Sequence, residues 1–91
     1  MVLLDLLGRR WALRILWELR DGPLAFRALQ ASCEGMSSSV LTQRLSELCG
    51  AEILERHDGA YRLSGEGARL LESLAELNDW ADRWAERSRE A

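Results

Sequence analysis

The sequence predicts a mainly α-helical fold with one small β-hairpin wing. Three observations carry that expectation. Apolar residues recur at helical spacing along most of the chain. Asp58-Gly59 sits between two short alternating segments, the strongest local signal for a hairpin. The C-terminal third repeats Leu70, Leu74, Leu77, Ala81, Trp84 and Ser88 at alternating spacings of four and three, the pattern of a long helix with one apolar seam.

Taken in order, Val2 to Leu7 is an apolar opening broken by Asp5 and followed by Gly8. It reads as a short helix or helical turn that packs on another surface, a second subunit included. Arg9 to Arg20 predicts a helix. Arg10, Arg14, Glu18 and Asp21 form one thin polar stripe, and Trp11, Leu13, Ile15, Leu16, Trp17 and Leu19 cover most of the remaining circumference. A helix so widely apolar is expected at the centre of its domain. Asp21-Gly22-Pro23 ends it. Leu24 to Phe26 is short and extended, enough for one bridge, and Arg27 to Cys33 predicts a second, shorter helix closed by Glu34-Gly35.

Met36 to Gly50 follows. Ser37 or Ser38 supplies the N-cap, and Leu41, Leu45 and Leu48 form a buried stripe. Ser39, Thr42, Gln43 and Ser46 make an uncharged face rich in donors and acceptors. Two helices joined by a tight Gly-containing turn, the second carrying an outward polar face, match the helix-turn-helix pattern. In the hairpin, Leu54 is expected opposite Leu63, Glu55 opposite Arg62, Arg56 opposite Tyr61 and His57 opposite Ala60. Glu55, His57 and Arg62 then point outward. An isolated hairpin is marginal in water, so it needs the helices beneath it and Leu24 to Phe26 beside it as a third strand. Ser64 is the expected cap of the last helix, whose start Gly65 and Gly67 weaken. The chain thus reads as a single domain. It has a helix-turn-helix at about residues 26–50, a wing at about 53–63 and a C-terminal dimerisation helix at about 65–88.

Composition limits what such a domain does. A chain of 91 residues has room for one modest core and no second lobe. No apolar run approaches a membrane span, and Met1 to Leu7 is too short for a signal peptide, so a cytoplasmic location is expected. Cys33 and Cys49 do not make a disulfide framework and read as buried free thiols. Together with His57 they are too sparse and too scattered for a closed metal site. With one histidine, no phosphate loop and no paired carboxylates, no catalytic residue is assigned and no cofactor expected. The net charge of −3 argues against indiscriminate nucleic-acid affinity. Its distribution qualifies this: arginines number five against four acids over residues 1–34, three against four over 37–62, and four against seven over 63–91. The acidity lies in the tail.

The order of elements and several strings resemble the HxlR-type winged helix-turn-helix transcriptional regulators of bacteria and archaea. The strings are Leu7-Gly8-Arg9-Arg10-Trp11, Asp21-Gly22-Pro23-Leu24-Ala25-Phe26, Val40-Leu41-Thr42-Gln43-Arg44-Leu45 with Glu47-Leu48, Leu63-Ser64 with Gly67 ahead of Leu70-Leu71, and Asp79-Trp80. The resemblance implies a homodimer, joined by its N- and C-terminal helices, on a pseudo-palindromic operator in double-stranded DNA. It places Ser37, Ser39, Thr42, Gln43 and Arg44 at or near that DNA. Three departures stand out. Ser38 and Ser39 replace a frequent Pro and Lys, which removes a phosphate or guanine contact. The wing is shorter. The redox-active cysteine that many members carry before the first long helix is missing.

Each candidate has a plainer alternative. Thr42 and Gln43 are either base readers or a solvated helix face. Arg44 either meets phosphate or pairs with Glu47 or Glu52. His57 and Arg62 either approach phosphates from the wing or form a solvated hairpin edge, with Arg62 paired to Glu55. Arg56 stacks on Tyr61. Arg27, at a helix start, is the leading flank contact, ahead of Arg9 and Arg10. Leu3, Leu6, Leu77, Trp80, Ala81 and Trp84 are the expected dimer contacts. Trp80 and Trp84 alternatively wall a pocket for an unknown small-molecule effector. The functional expectation is a sequence-specific DNA-binding regulator, and the alternative is a winged-helix module that binds protein with little or no DNA affinity.

Overall fold

The computed structural model describes residues 2–90. Its elements run α1 (Val2–Leu7), α2 (Ala12–Glu18), α3 (Phe26–Ser32), α4 (Ser38–Gly50), β1 (Leu54–His57), β2 (Ala60–Leu63) and α5 (Gly65–Glu90). Helices α2, α3 and α4 meet around a core of Ile15, Leu16, Leu19, Leu29, Cys33, Met36, Leu41, Leu45 and Leu48. Ile53 and Leu54 close it from the hairpin, and Leu70, Leu71 and Leu74 pack on it from α5. Each fully buried leucine contributes about 2 kcal/mol, so the three on α4 suffice to dock that helix.

The expected helix over residues 9–20 is shorter than its periodicity suggests. Gly8 closes α1 by donating to the Leu4 carbonyl at 2.8 Å. Trp11 then takes a left-handed conformation with φ 78° as the N-cap of α2, so residues 9–11 turn rather than wind. At the other end Leu19 is the C-cap, and Gly22, φ 142°, donates to its carbonyl. Nor is α2 buried all round. It hides Ala12, Ile15 and Leu16, while Leu13 and Trp17 stay 46% and 48% exposed. Their positions fall on the side of α2 that faces α5 across an open groove and is only partly covered.

Of Leu24 to Phe26, only Leu24 pairs, forming one antiparallel bridge with Tyr61; Phe26 already opens α3. The hairpin register is Leu54–Leu63, Glu55–Arg62, Arg56–Tyr61 and His57–Ala60. Asp58 and Gly59 both have positive φ, 51° and 78°, as a type I′ turn requires.

The passage from α4 into the hairpin is a Schellman turn. Ala51 is the C-cap, the Glu52 N–H donates to the Cys49 carbonyl at 3.0 Å, and the Ile53 N–H donates to the Leu48 carbonyl at 3.0 Å. Glu52 occupies the left-handed position, φ 62°, where glycine is usual. After β2, the Ser64 hydroxyl donates to the Glu52 carbonyl at 2.6 Å and accepts from the Gly67 N–H at 3.0 Å, capping α5. Gly67 has a second reason to be glycine: a Cβ there would lie 2.1 Å from the Ile53 carbonyl oxygen. What looks in sequence like a weak helix start is the closest approach between α5 and the rest of the fold.

Two substitutions probe this junction by chemical denaturation. Gly67→Ala is expected to destabilise by about 2 kcal/mol or more, because the contact is with backbone that cannot step aside. Glu52→Gly is expected to stabilise by about 0.5–1 kcal/mol, since relief of left-handed strain exceeds the added unfolded-state freedom.

Candidate nucleic-acid interface

Helix α4 is built to present one face. Ser37 is its N-cap, with Oγ accepting from the Val40 N–H at 3.2 Å and lying 3.3 Å from Ser39 Oγ. The preceding turn is set by Gly35, φ 84°, and by buried Met36, whose carbonyl accepts from Gln30 Nε2 at 3.3 Å. Leu41, Leu45 and Leu48 fix the inward side, which leaves Ser39, Thr42, Gln43 and Ser46 exposed together on the other. The Thr42 hydroxyl donates back to the Ser38 carbonyl at 2.8 Å. Its proton is therefore committed, and Thr42 offers outward a methyl group and a hydroxyl lone pair. Gln43 makes no hydrogen bond among the described residues and has a whole amide to present.

The basic residues are arranged differently. Arg44 is only 14% exposed along its side chain; its Nε donates to the Arg10 carbonyl at 3.0 Å and its Nη1 to Glu47 Oε1. The other Glu47 oxygen takes Arg9 Nε at 2.9 Å. The pairing with Glu47, one of the two readings open to Arg44, is thus the geometry found. Arg9 and Arg10 belong to the same cluster. Arg62 pairs with Glu55 at 2.9 Å across the hairpin, and His57 lies 3.2 Å from Asp58 at the wing tip. Arg56 sits over the Tyr61 ring at 5.2 Å and stiffens the wing. Arg27, exposed in the first turn of α3, makes no ion pair among the described residues.

The sequence-derived candidates therefore fall into groups. Ser37, Ser39, Thr42 and Gln43 come together at the N-terminal half of α4, with Arg27 opening the neighbouring helix. His57 and Arg62 lie apart on the wing. Leu3, Leu77, Trp80 and Trp84 are exposed, at 40% to 60% for Leu3, Leu77, Trp80 and Trp84, and Leu6 and Ala81 are half-buried. Trp80 and Trp84 stack with ring centroids 6.2 Å apart and planes 8° from parallel. Glu47 was offered from the sequence as a partner of Arg44 at the spacing of a helical ion pair, but its second contact, to Arg9, was not foreseen. Leu13 and Trp17 were also missed as surface residues. With Leu71, Leu74, Leu77 and Ala81 they line an open groove of about 600 Å³ between α2 and α5.

Cys33 and Cys49 are free. Burial raises the Cys33 thiol above its ordinary pKa, with Arg14 opposing and Glu18 adding; burial also raises Cys49, with Arg56 opposing. Neither environment favours a thiolate.

A capped reading helix behind a tight turn, with a two-stranded wing beside it, defines a winged helix-turn-helix protein. The sequence profile of the HxlR-like helix-turn-helix family matches residues 6–89, and the chain belongs to that family. The HTH-type transcriptional regulator YodB of Bacillus subtilis (strain 168) is 34% identical over 89 residues, which cover 90% of this chain and 80% of YodB. YvaP of the same organism, an uncharacterised HTH-type transcriptional regulator, is 30% identical over 91 residues, 92% of this chain and 84% of YvaP. Among solved structures, quinone-bound YodB superposes with a TM-score of 0.86 at 35% identity, covering 90% of this chain and 93% of that one. The chain is thus a transcriptional regulator of the helix-turn-helix type, and the relatives it matches are regulators rather than enzymes. Among the described residues, no helix is long and apolar enough to cross a membrane.

Two expectations follow. Ser37→Ala should cost about 1 kcal/mol in thermal or denaturant unfolding, the worth of a lost N-cap. Because the raised thiols keep protons that the unfolded chain releases, stability should fall as pH rises through and beyond the ordinary thiol range. Cys33→Ala with Cys49→Ala should flatten that alkaline slope in pH-dependent denaturation curves.

Proposed function

We propose that this protein is a cytoplasmic, sequence-specific DNA-binding regulator. In this reading it acts as a homodimer on a pseudo-palindromic operator, and its single domain carries both the reader and the pairing helix. The observation that carries this reading is the exposed neutral face of α4, held outward by the buried Leu41–Leu45–Leu48 stripe. Gln43 is the base reader, its amide matched to the two edge groups of adenine. Thr42, with its proton tied to Ser38, meets a thymine methyl through its own methyl. Ser37 and Ser39 approach phosphate at the start of the helix, and Arg27 does so from α3. His57 and Arg62 serve the wing, each already neighboured by an acid. Pairing through Leu3, Leu6, Leu77, Trp80, Ala81 and Trp84 sets two reading helices about 34 Å apart, one helical turn of DNA. A small-molecule effector fits the same reading: YodB has been solved with quinone bound, and the groove between α2 and α5 adjoins Leu77 and Ala81.

Selection of duplexes from a random pool, followed by sequencing, tests class and specificity together. Wild type should recover an inverted repeat with A·T pairs in each half-site, and Gln43→Ala should lose preference at one position by about tenfold. Affinity should fall with salt at a log–log slope of about −4 per dimer, shallow for a regulator, because few cations are free to displace counterions. Retention of no duplex even at low salt would favour the protein-binding alternative that the net charge of −3 keeps open.

The pairing surface has its own test. Trp80→Asp with Trp84→Asp should convert the protein to monomer in sedimentation equilibrium and weaken operator binding at least tenfold, since half-sites then bind independently.

A further inference from the structure

Arg44 is the one basic side chain on α4, and the fold invests it inward. Its guanidinium spans to the Arg10 carbonyl, 34 residues away in sequence, and to Glu47 on the next turn. Glu47 in turn divides its two oxygens between Arg44 and Arg9. The joint it reaches is an unusual piece of backbone. Trp11 is left-handed, and the Arg10 carbonyl accepts from Arg44 where a helix would supply an N–H. A DNA reader with a net charge of −3 has few cations to spare. Turning this one inward, partly buried, makes physical sense if its work is done through geometry.

Resting on the DNA-reading function above, we propose that Arg44 and Glu47 are positioning residues that clamp the reading helix to the α1–α2 joint. The leucine stripe fixes which face of α4 looks inward. By itself it does not hold the rotation of α4 about that stripe, because apolar packing is not directional. Arg44 lies on the flank between the stripe and the reading face, beside Gln43. Two directed contacts join that flank to a turn on another element, Arg44 to the Arg10 carbonyl and Arg9 to Glu47; tied together by the Arg44–Glu47 pair within α4, they fix the angle at which Thr42 and Gln43 meet a groove. The planar guanidinium suits this work because one rigid fork bonds two acceptors at once; an ammonium is a point charge and cannot span them.

The clamp and a direct phosphate contact predict opposite signs for one substitution. Glu47→Gln frees Arg44 and removes a negative charge. If Arg44 met phosphate, affinity for the duplex recovered from the random pool would rise and the salt slope would steepen. If Arg44 positions the helix, affinity falls about tenfold with the salt slope unchanged. Arg44→Lys keeps the charge and should match Arg44→Ala rather than wild type. Amide hydrogen exchange of the free protein supplies a readout independent of DNA. In Glu47→Gln, exchange should quicken over residues 42–48 while residues 70–74 of α5 keep their protection. Arg9→Gln, which alters only the exposed joint side of the cluster, should give a smaller change of the same sign should either α4 variant fold poorly. A gain in affinity for Glu47→Gln, or wild-type binding by Arg44→Lys, overturns the clamp. If wild type binds no duplex, the DNA reading fails by itself, and unchanged exchange over residues 42–48 in Glu47→Gln would then overturn the clamp separately.

Discussion

One backbone carbonyl, that of Ile53, is the point on which the geometry of this fold turns. The Ile53 N–H completes the Schellman turn that ends α4, and its carbonyl accepts from the Ser64 N–H at 3.0 Å. That same oxygen is what a side chain at Gly67 would strike. Helix α4, wing and long helix thus diverge from a single residue, with Glu52 held left-handed just before it and the Ser64 hydroxyl bonded back to the Glu52 carbonyl. If α4 and the wing meet one duplex, as proposed, the angle between them has to be fixed. Here the angle is set by short directed contacts between backbones, where a shift of a few tenths of an ångström is felt, and the apolar core supplies bulk stability beneath them.

How much of this was legible in sequence follows from how local each cause is. The Ser37 cap, the leucine stripe of α4 and the full register of the hairpin are decided by residues within a few positions of one another. The stripe and the register read correctly from the chain, and the cap was narrowed to Ser37 or Ser38, of which the structure takes Ser37. The ends of α2 did not, because its periodicity continues through residues 9–11 while the backbone turns there at Trp11. Periodicity records which residues are apolar, and Leu13 and Trp17 show that apolar does not mean covered. Gly67 misled for the opposite reason. Its meaning lies in a carbonyl fourteen positions earlier in the chain, and no local pattern announces such a contact. The family resemblance was legible from short strings, and the match over residues 6–89 bears it out. The candidate site was legible as a set of residue types. The local pairs Arg44–Glu47 and Arg62–Glu55 were legible as alternatives, but the contacts of Arg9 with Glu47 and of Arg44 with the Arg10 carbonyl were not, since contacts between distant elements leave only weak traces in sequence.

Charge placement follows one pattern through the domain. Arg9, Arg44 and Arg62 each have a carboxylate partner, and Arg56 and Arg20 lie over the rings of Tyr61 and Trp17. The exposed pairs of Arg9 and Arg62 add little stability, commonly under about 1 kcal/mol each. Their larger effect is to neutralise local potential and hold long side chains still. The surface that faces outward from α4 is consequently made of hydroxyls and an amide. Recognition by such groups depends on distance and angle far more than recognition by charge does, because a neutral hydrogen bond weakens steeply out of line. A reader of this chemistry gains more from a rigid mount than from another cation.

The same reasoning bears on α5. Its 26 residues extend about 39 Å at the usual rise, in a molecule only 27 by 26 Å across its shorter axes. Leu70, Leu71 and Leu74 anchor the first half on the core. Beyond them Leu77, Trp80 and Trp84 continue the seam and stay more than half exposed among the described residues. Water-exposed helix without tertiary packing is marginal at this length, and the Trp80–Trp84 stack shields only one ring face of each residue. Leu13 and Trp17 extend the bare surface across α2 toward the anchored half of the helix. The apolar surface is therefore continuous from the groove to the far end of α5, broader than one helix needs for its own folding. That continuity is the physical argument for a second copy of this chain against it: two such helices would cover each other's seam and keep two reading faces at a fixed separation.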